Sequence, residues 1–178
     1  MKTRVLTLSA ISASFVALFL TLGAYIEFID LLAVIIASIF VLLPIYYESY
    51  LGCFLTYLAG GALAFIISQF NFLSLVFPLF FGFFGLYPFL MCMSADKKFN
   101  RILFIVLSLI WCIAATYGTY FYYTLIMKNI LEGLPEFIVD NIYIVLFVLG
   151  VIVYFLFDRF VFSARILINR YLGKVIKK

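Results

Sequence analysis

The residues best suited to bind a small molecule share one face of a predicted helix in the second half of the chain. They combine phenol, phenyl and hydroxyl groups at helical spacing: Tyr117, Tyr120, Phe121 and Thr124. Side chains three and four residues apart lie side by side on a helix. Such a face can hold a planar heterocycle by stacking and hydrogen bonding. The alternative is an aromatic belt that anchors the helix at a membrane surface, and both interpretations stay open.

Further polar candidates rank below this face. Trp111 lies nearer the centre of the same predicted helix, where its indole N–H requires a partner. The other candidates flank predicted turns or lie in the long connection before the last helix, all at the same end of the molecule: Gln69, Asn71, Glu132 and Asn141.

The charges at this end predict the character of the ligand. Five acids lie there against one lysine, Lys128: Glu27, Asp30, Glu132, Glu136 and Asp140. This negative balance predicts a neutral or cationic ligand, such as a thiamine-precursor or pyridoxal-like ring. The alternative is that the acids simply cap solvated loops.

No pattern typical of catalysis accompanies these residues. The 178-residue chain has no histidine, which removes the commonest metal ligand and the commonest general base. Its acids are spread singly, and it contains no Gly-rich phosphate loop. Cys53, Cys92 and Cys112 each lie in an apolar run, without a C-x-x-C pair. We expect a protein that is not an enzyme and that binds no metal, cofactor or nucleic acid.

Composition decides which fold must position these residues. The chain is 68% hydrophobic and 11% charged, whereas soluble domains are about half apolar and a quarter charged. A soluble fold of this length has too little interior for so much apolar surface. We therefore predict one integral membrane domain, all-α because open sheet edges are not tolerated in lipid. Charges and turn residues place its six transmembrane helices at about 5–26, 31–47, 49–68, 72–94, 102–127 and 142–164.

The basic residues predict the orientation of this domain. With six spans both termini share a side, and all lysines and arginines except Lys128 fall on it. The positive-inside rule makes that side the cytoplasm, so we expect a multi-pass protein of the bacterial plasma membrane. Residues 165–178 are predicted to form a basic amphipathic cytoplasmic tail, suited to the anionic inner leaflet or to a partner.

Two predicted helices carry further signals. Pro78 and Pro88 bracket two glycines in the fourth helix, which predicts an interrupted helix that either borders a binding site or is packed by its own aromatic residues. The first helix places small residues four apart: Ser9, Ala13 and Ala17. Small residues let helices approach closely in membranes. This stripe either packs inside the domain or docks another membrane subunit, and both readings stay open.

The opening residues, LTLSAISASFVALFLTLGAYIEFIDLLAVIIASIFVLLP, resemble the start of the substrate-binding S components of energy-coupling factor (ECF) transporters. In that family an A-x-x-x-A pattern in the first helix docks on a membrane coupling subunit, and Ala13-Ser14-Phe15-Val16-Ala17 matches it. Six spans, cytoplasmic termini and overall size are also similar. The chain lacks the histidine-containing loop of the nickel and cobalt members.

The resemblance implies a subunit that captures a vitamin-like small molecule from outside, in a pocket built largely from the later helices and outer loops. Its implied partners are a membrane coupling subunit and two cytoplasmic ATPases. The competing interpretation is a non-transporting scaffold similar to rod-shape-determining protein D, which shares six spans and cytoplasmic ends.

Overall fold

The computed structural model describes residues 3–69, 71, 74–96, 99–126 and 139–176. Within these ranges the chain is helical apart from turns and short loops, and it contains no strand. Six helical segments are long and apolar enough to cross a membrane. The predicted all-α architecture, with six helices of sufficient length and apolar character to span a membrane, is therefore confirmed.

The helices run up and down through one bundle. They are α1 (Thr3–Tyr25), α2 (Asp30–Leu42), α3 (Tyr50–Ile67), α4 (Val76–Leu79), α5 (Tyr87–Asp96), α6 (Arg101–Ile126) and α7 (Ile142–Ile176). A 3-10 turn, Glu27–Ile29, precedes α2, and a 3-10 helix, Leu43–Tyr47, extends it. A π turn, Phe80–Phe84, joins α4 and α5 into the fourth span. The sixth helix does not end near residue 164, because α7 continues through the predicted tail to Ile176.

Hydrogen bonds between helices identify the two ends of the bundle. At one end the Tyr117 hydroxyl donates to the carbonyl of Tyr143 at 2.7 Å. At the other end the Asp96 carboxylate accepts from the Tyr50 hydroxyl and from Arg165, each at 2.6 Å. We call these the Asp30 end, after the residue that begins α2 there, and the Asp96 end. Both chain termini of the described helices and all five arginines lie toward the Asp96 end: Arg4, Arg101, Arg159, Arg165 and Arg170.

Small residues allow α1 and α3 to approach closely. A Cβ atom at Gly60 would lie 2.6 Å from the side chain of Val16, and one at Gly52 would lie 2.8 Å from the Ser9 hydroxyl oxygen. Thr56 of α3 also donates a hydrogen bond to the carbonyl of Ser9 at 3.3 Å. The two helices therefore meet along a seam that larger residues would force apart.

The predicted interruption of the fourth helix is a π turn. The N–H of Gly85 donates to the carbonyl of Phe80, five residues back, at 2.9 Å. In an α-helix it would bind the carbonyl of Phe81, which accepts instead from the Tyr57 hydroxyl at 3.1 Å. A Cβ at Gly85 would lie 2.6 Å from the ring of Tyr57, so glycine is needed for this approach.

The last two helices are attached less closely than the others. Tyr154 of α7 and Ser108 of α6 share a hydrogen bond of 2.8 Å, which links the two helices to each other. In the apolar stretches of the first four spans 39–50% of the residues are buried, against 11% in α6 and 22% in α7. Most of the surface of this pair is therefore available to lipid.

Candidate functional site

A cavity of about 790 Å³ lies at the Asp30 end, between the first four spans and the α6–α7 pair. Binding sites for small molecules commonly enclose about 300–1,000 Å³. Most of the wall is apolar, and a small number of polar groups converge on it. This combination is the usual character of a small-molecule site, and the cavity is therefore the candidate functional site.

One face of α6 forms the most polar wall of the cavity. Its residues recur at helical spacing: Cys112, Thr116, Thr119, Tyr120 and Tyr123. The Thr116 hydroxyl donates to the carbonyl of Cys112 at 2.9 Å, and the Thr119 hydroxyl donates to the carbonyl of Ala115 at 2.8 Å. Because these hydroxyl protons are used within the helix, both oxygens present lone pairs as acceptors.

The π turn supplies an aromatic wall. Phe83 and Phe84 are consecutive, and both are buried residues that line the cavity. Phe83 packs edge-on against Trp111 with ring centroids 5.3 Å apart, and Phe84 packs edge-on against Phe157 at 4.7 Å. These contacts fix both rings, and the Tyr57 hydrogen bond holds the backbone that carries them.

The rim of the cavity comes from α1, α2 and the approach to α4. The side-chain amide of Asn71 donates to the carbonyl of Ala24 at 3.3 Å, and the Ser74 hydroxyl oxygen accepts from the N–H of Val76 at 3.3 Å. Asp30 is the first residue of α2, where the positive end of the helix dipole stabilises a carboxylate. Among the described lining residues, Asp30 is the one with a charged side chain.

Two of the residues predicted from the sequence, Asn71 and Tyr120, meet at this cavity. The structure places the other three members of the predicted face outside the lining. Tyr117 donates to Tyr143 and stacks on it, Phe121 is 63% exposed, and Thr124 donates to a carbonyl of its own helix. The predicted face is thus rotated by about one residue from the lining face, and the two faces share only Tyr120.

The remaining candidates lie elsewhere. Trp111 lines a smaller apolar cleft of about 300 Å³ between α5 and α6, and Asn141 lines a groove along α7. Gln69 is exposed in the turn after α3, in the left-handed backbone conformation with φ of 55°. Glu132 lies outside the described residues.

The proposed docking stripe on α1 is inside the bundle. Ser9, Ala13 and Ala17 are only 4–5% exposed. The carbonyl of Ala13 would lie 3.0 Å from a Cβ at Gly60, so the stripe faces α3. The structure therefore contradicts the docking interpretation and supports the alternative of internal packing.

Several lining residues were not among the candidates predicted from the sequence. Asp30 was recognised only as one of the acids at this end, and Thr116, Thr119, Tyr123, Phe83 and Phe84 were not selected. The spacing of Thr116 and Thr119 within an apolar helix was the available signal, since two such hydroxyls on one face indicate a side turned away from lipid. The many aromatic residues in the second half of α6 are the stronger pattern in the sequence, and they favour the neighbouring face of the helix.

No protein-family model matches the chain, and no curated protein or solved structure shows significant similarity to it. Among the described residues, no three Cys, Asp or Glu side chains come together in a way that could hold a metal ion. The cavity is therefore the feature from which a function can be inferred.

Proposed function

We propose that the chain is the membrane-embedded substrate-binding subunit of an ECF-type importer. In this proposal it captures a vitamin-like small molecule from the outer side and passes it inward with the help of ATPase partners. The observation that supports this most directly is the cavity of about 790 Å³, which has an apolar wall and a polar rim. A scaffold that acts through its surface has no need of such a cavity.

The proposed orientation places the Asp96 end in the cytoplasm. All five arginines lie toward that end, and the positive-inside rule assigns such an end to the cytoplasmic face. The Asp30 end, and with it the cavity, then faces the exterior of the bacterial plasma membrane. A ligand from outside would reach the cavity without crossing the bundle.

The space between the cavity and the Asp96 end is filled by buried aromatic side chains. Tyr87 and Tyr154 are each about 1% exposed or less, and Phe83 stacks on Tyr87 with ring centroids 5.0 Å apart. The Tyr87 hydroxyl also donates to the carboxylate of Asp158. This filling supports capture from one side, with release requiring a rearrangement.

Energy for that rearrangement must come from other proteins in this proposal. The chain has no nucleotide-binding motif, so we propose a membrane coupling subunit and two cytoplasmic ATPases as partners, and no catalysis by the chain itself. Their docking surface is not the stripe of Ser9, Ala13 and Ala17, which is buried.

The test compares two phenylalanine substitutions on α6. Thr119 lines the cavity and Thr124 does not, yet each hydroxyl donates to a carbonyl of its own helix, so the hydrogen bond lost is the same. Protein isolated from its native membranes in mild detergent would be examined by native mass spectrometry. We expect wild-type protein and Thr124→Phe to carry a bound small molecule, and Thr119→Phe to lose it while remaining monodisperse.

Two results would overturn the proposal. One is wild-type protein that carries no small molecule. The other is a bound molecule whose occupancy is unchanged in Thr119→Phe. Either result, together with isolation of the protein without ATPase subunits, would favour the scaffold similar to rod-shape-determining protein D.

A further inference from the structure

We infer that the ligand of the cavity is an amphiphile, with a polar end bound in the cavity and a hydrocarbon chain lying in the groove along α7. This inference rests on the proposed function, because it requires that the cavity hold a small molecule. It goes further in assigning the substrate class, and it adds a second part to the binding site.

The cavity adjoins the groove. The groove encloses about 610 Å³, and its described lining consists of aliphatic residues of α7 together with Asn141, which comes just before that helix. Leu149 and Val153 line both the cavity and the groove, so the two spaces meet at these side chains. A molecule larger than the cavity can therefore extend past them along α7.

The groove lies on the side of α7 that faces away from α6. Gly150 marks the side toward α6, because a Cβ atom there would lie 3.3 Å from a side-chain oxygen of that helix. Successive residues of a helix are about 100° apart, which places Leu149 and Val153 about 60–100° around α7 from Gly150. Val148 and Ile152 follow at about 160–200° in the same direction. The path from the cavity to the groove therefore leads around α7, away from α6.

This side of α7 is accessible to lipid. Val148, Leu149 and Ile152 are 48%, 49% and 54% exposed, and they belong to a helix long and apolar enough to cross a membrane. In a bilayer such side chains contact hydrocarbon, so the part of a ligand that lies against them also meets hydrocarbon. A polar group in that position would lose its hydration beside aliphatic side chains that offer no hydrogen bond, whereas a hydrocarbon chain incurs no such cost.

The polar groups of the cavity lie on its other walls. Hydroxyl, phenol, amide and carboxylate groups come from α6, from the start of α2 and from the approach to α4, whereas α7 contributes Leu146, Leu149 and Val153 to the described lining. The polarity of the wall thus falls from α6 toward α7 and stays low along the described groove. A molecule that is polar at one end and apolar at the other matches this gradient.

The groove is long enough for a hydrocarbon chain. With a rise of about 1.5 Å per residue, the lining residues Ile144 and Ile152 are about 12 Å apart along α7. This length approaches half of the hydrocarbon core of a bilayer, which is about 30 Å thick. A chain in the groove would therefore lie beside the acyl chains of one leaflet.

The experiment identifies the bound molecule and then blocks one part of the site at a time. Compounds would be extracted from protein purified from its native membranes in mild detergent, and they would be identified by mass spectrometry. We expect wild-type protein to carry a compound with a polar group and a hydrocarbon chain. Val148→Trp obstructs the groove and Thr119→Phe obstructs the cavity, so each variant should lose most of this same compound.

The matched control for the groove is Val106→Trp. Val106 is a valine of α6 with nearly the same exposure as Val148, 46%, and it lines neither the cavity nor the groove. We therefore expect Val106→Trp to carry the compound at the occupancy of wild-type protein.

The remaining outcomes separate this inference from the proposed function. A compound without a hydrocarbon chain, or one that is lost in Thr119→Phe and kept in a monodisperse Val148→Trp, overturns the inference and leaves the proposed function standing. If Val148→Trp is not monodisperse, the chemical structure of the wild-type compound decides the matter. A compound lost in Val148→Trp alone would be a lipid in the groove, and it overturns both. Wild-type protein without any bound compound also overturns both.

Discussion

A Cβ atom added to Gly60 would lie 2.6 Å from Val16, whereas one added to Gly118 would meet nothing within 4 Å. The first glycine belongs to the four spans from α1 to α5, and the second belongs to the α6–α7 pair. In the first group the helices pack so closely that only glycine fits without a shift of its neighbours. The same holds at Gly23, Gly52, Gly61 and Gly85. In the pair the approach is less close: a Cβ at Gly150 would lie 3.3 Å from the Thr116 hydroxyl oxygen, and Ser108 and Tyr154 meet through their hydroxyl groups.

The cavity lies where these two groups of helices face each other, and its walls reflect the difference. The first group contributes positions fixed by backbone approach, among them the π turn held by Tyr57. The pair contributes the α6 face that carries Thr116 and Thr119. The two groups are joined by polar contacts nearer the Asp96 end, at Tyr87–Asp158 and Asp96–Arg165, and are separated by the cavity at the Asp30 end. A tightly packed body and a pair attached mainly at one end therefore form the site together.

The largest effect is expected from filling the seam of the tightly packed group. Gly60→Leu would force side-chain atoms into Val16 and against the carbonyl of Ala13, and we expect the free energy of unfolding to fall by about 3 kcal/mol or more. Gly118→Leu is the matched control, since Gly118 is exposed on α6. Unfolding of both variants in detergent would be followed by circular dichroism. Equal losses of stability would mean that the two groups are packed alike.

The sequence is sufficient to predict that α1 packs closely against another helix, but not which helix it packs against. Small residues at Ser9, Ala13 and Ala17 predict close helix packing, and the apolar runs between charges predict the six spans. Which helix the stripe meets depends on Gly52 and Gly60, about 45 residues further along the chain, and the periodicity of a single helix carries no information about that pairing. The sequence therefore leaves docking and internal packing as alternatives, and the contact of the stripe with α3 distinguishes them.

The lining of the cavity is harder to predict from the sequence, because it also depends on contacts between different helices. The lining face of α6 differs by about one residue from the aromatic face, and only packing against the π turn decides between them. Pro78 and Pro88 predict an interrupted helix, but the form of the interruption depends on Tyr57 of another span. Asp30 is identified from the sequence as an acid in a turn, and its place on the cavity wall depends on the 3-10 turn before α2.

The second effect concerns the attachment between the two groups of helices. Tyr87→Phe removes the hydroxyl that donates to Asp158, and the carboxylate then keeps its cost of desolvation without that donor. We expect a loss of about 1–3 kcal/mol in the free energy of unfolding. The double variant Tyr87→Phe with Asp158→Leu should recover part of this loss, since it removes both polar partners. No recovery would mean that Asp158 has another stabilising role.

The third effect should appear in ligand binding more than in stability. Tyr57→Phe keeps the ring packing but removes the donor to the Phe81 carbonyl in the π turn, at a cost of about 1 kcal/mol. Because the same turn carries Phe83 and Phe84, we expect weaker retention of the bound molecule. Tyr25→Phe is the control, since that hydroxyl also donates to a carbonyl of another helix, Ile67, at 3.5 Å, without touching the cavity wall. Equal retention of the bound molecule in both variants would mean that the hydrogen bond from Tyr57 to the π turn does not contribute to ligand binding.

The smallest effect is expected where the attachment reaches the surface. Arg165 and Asp96 form an ion pair of 2.6 Å, and their side chains are 21% and 39% exposed. Pairs with this exposure contribute below about 1 kcal/mol and are screened by salt. Arg165→Gln should therefore lower the unfolding temperature slightly at low ionic strength, and the difference should vanish in about 1 M salt. Arg170→Gln, an exposed position further along α7, should show no such difference. A larger loss of stability for Arg165→Gln than for Tyr87→Phe would mean that the surface ion pair at the Asp96 end, and not the Tyr87–Asp158 contact, is the main attachment between the two groups of helices.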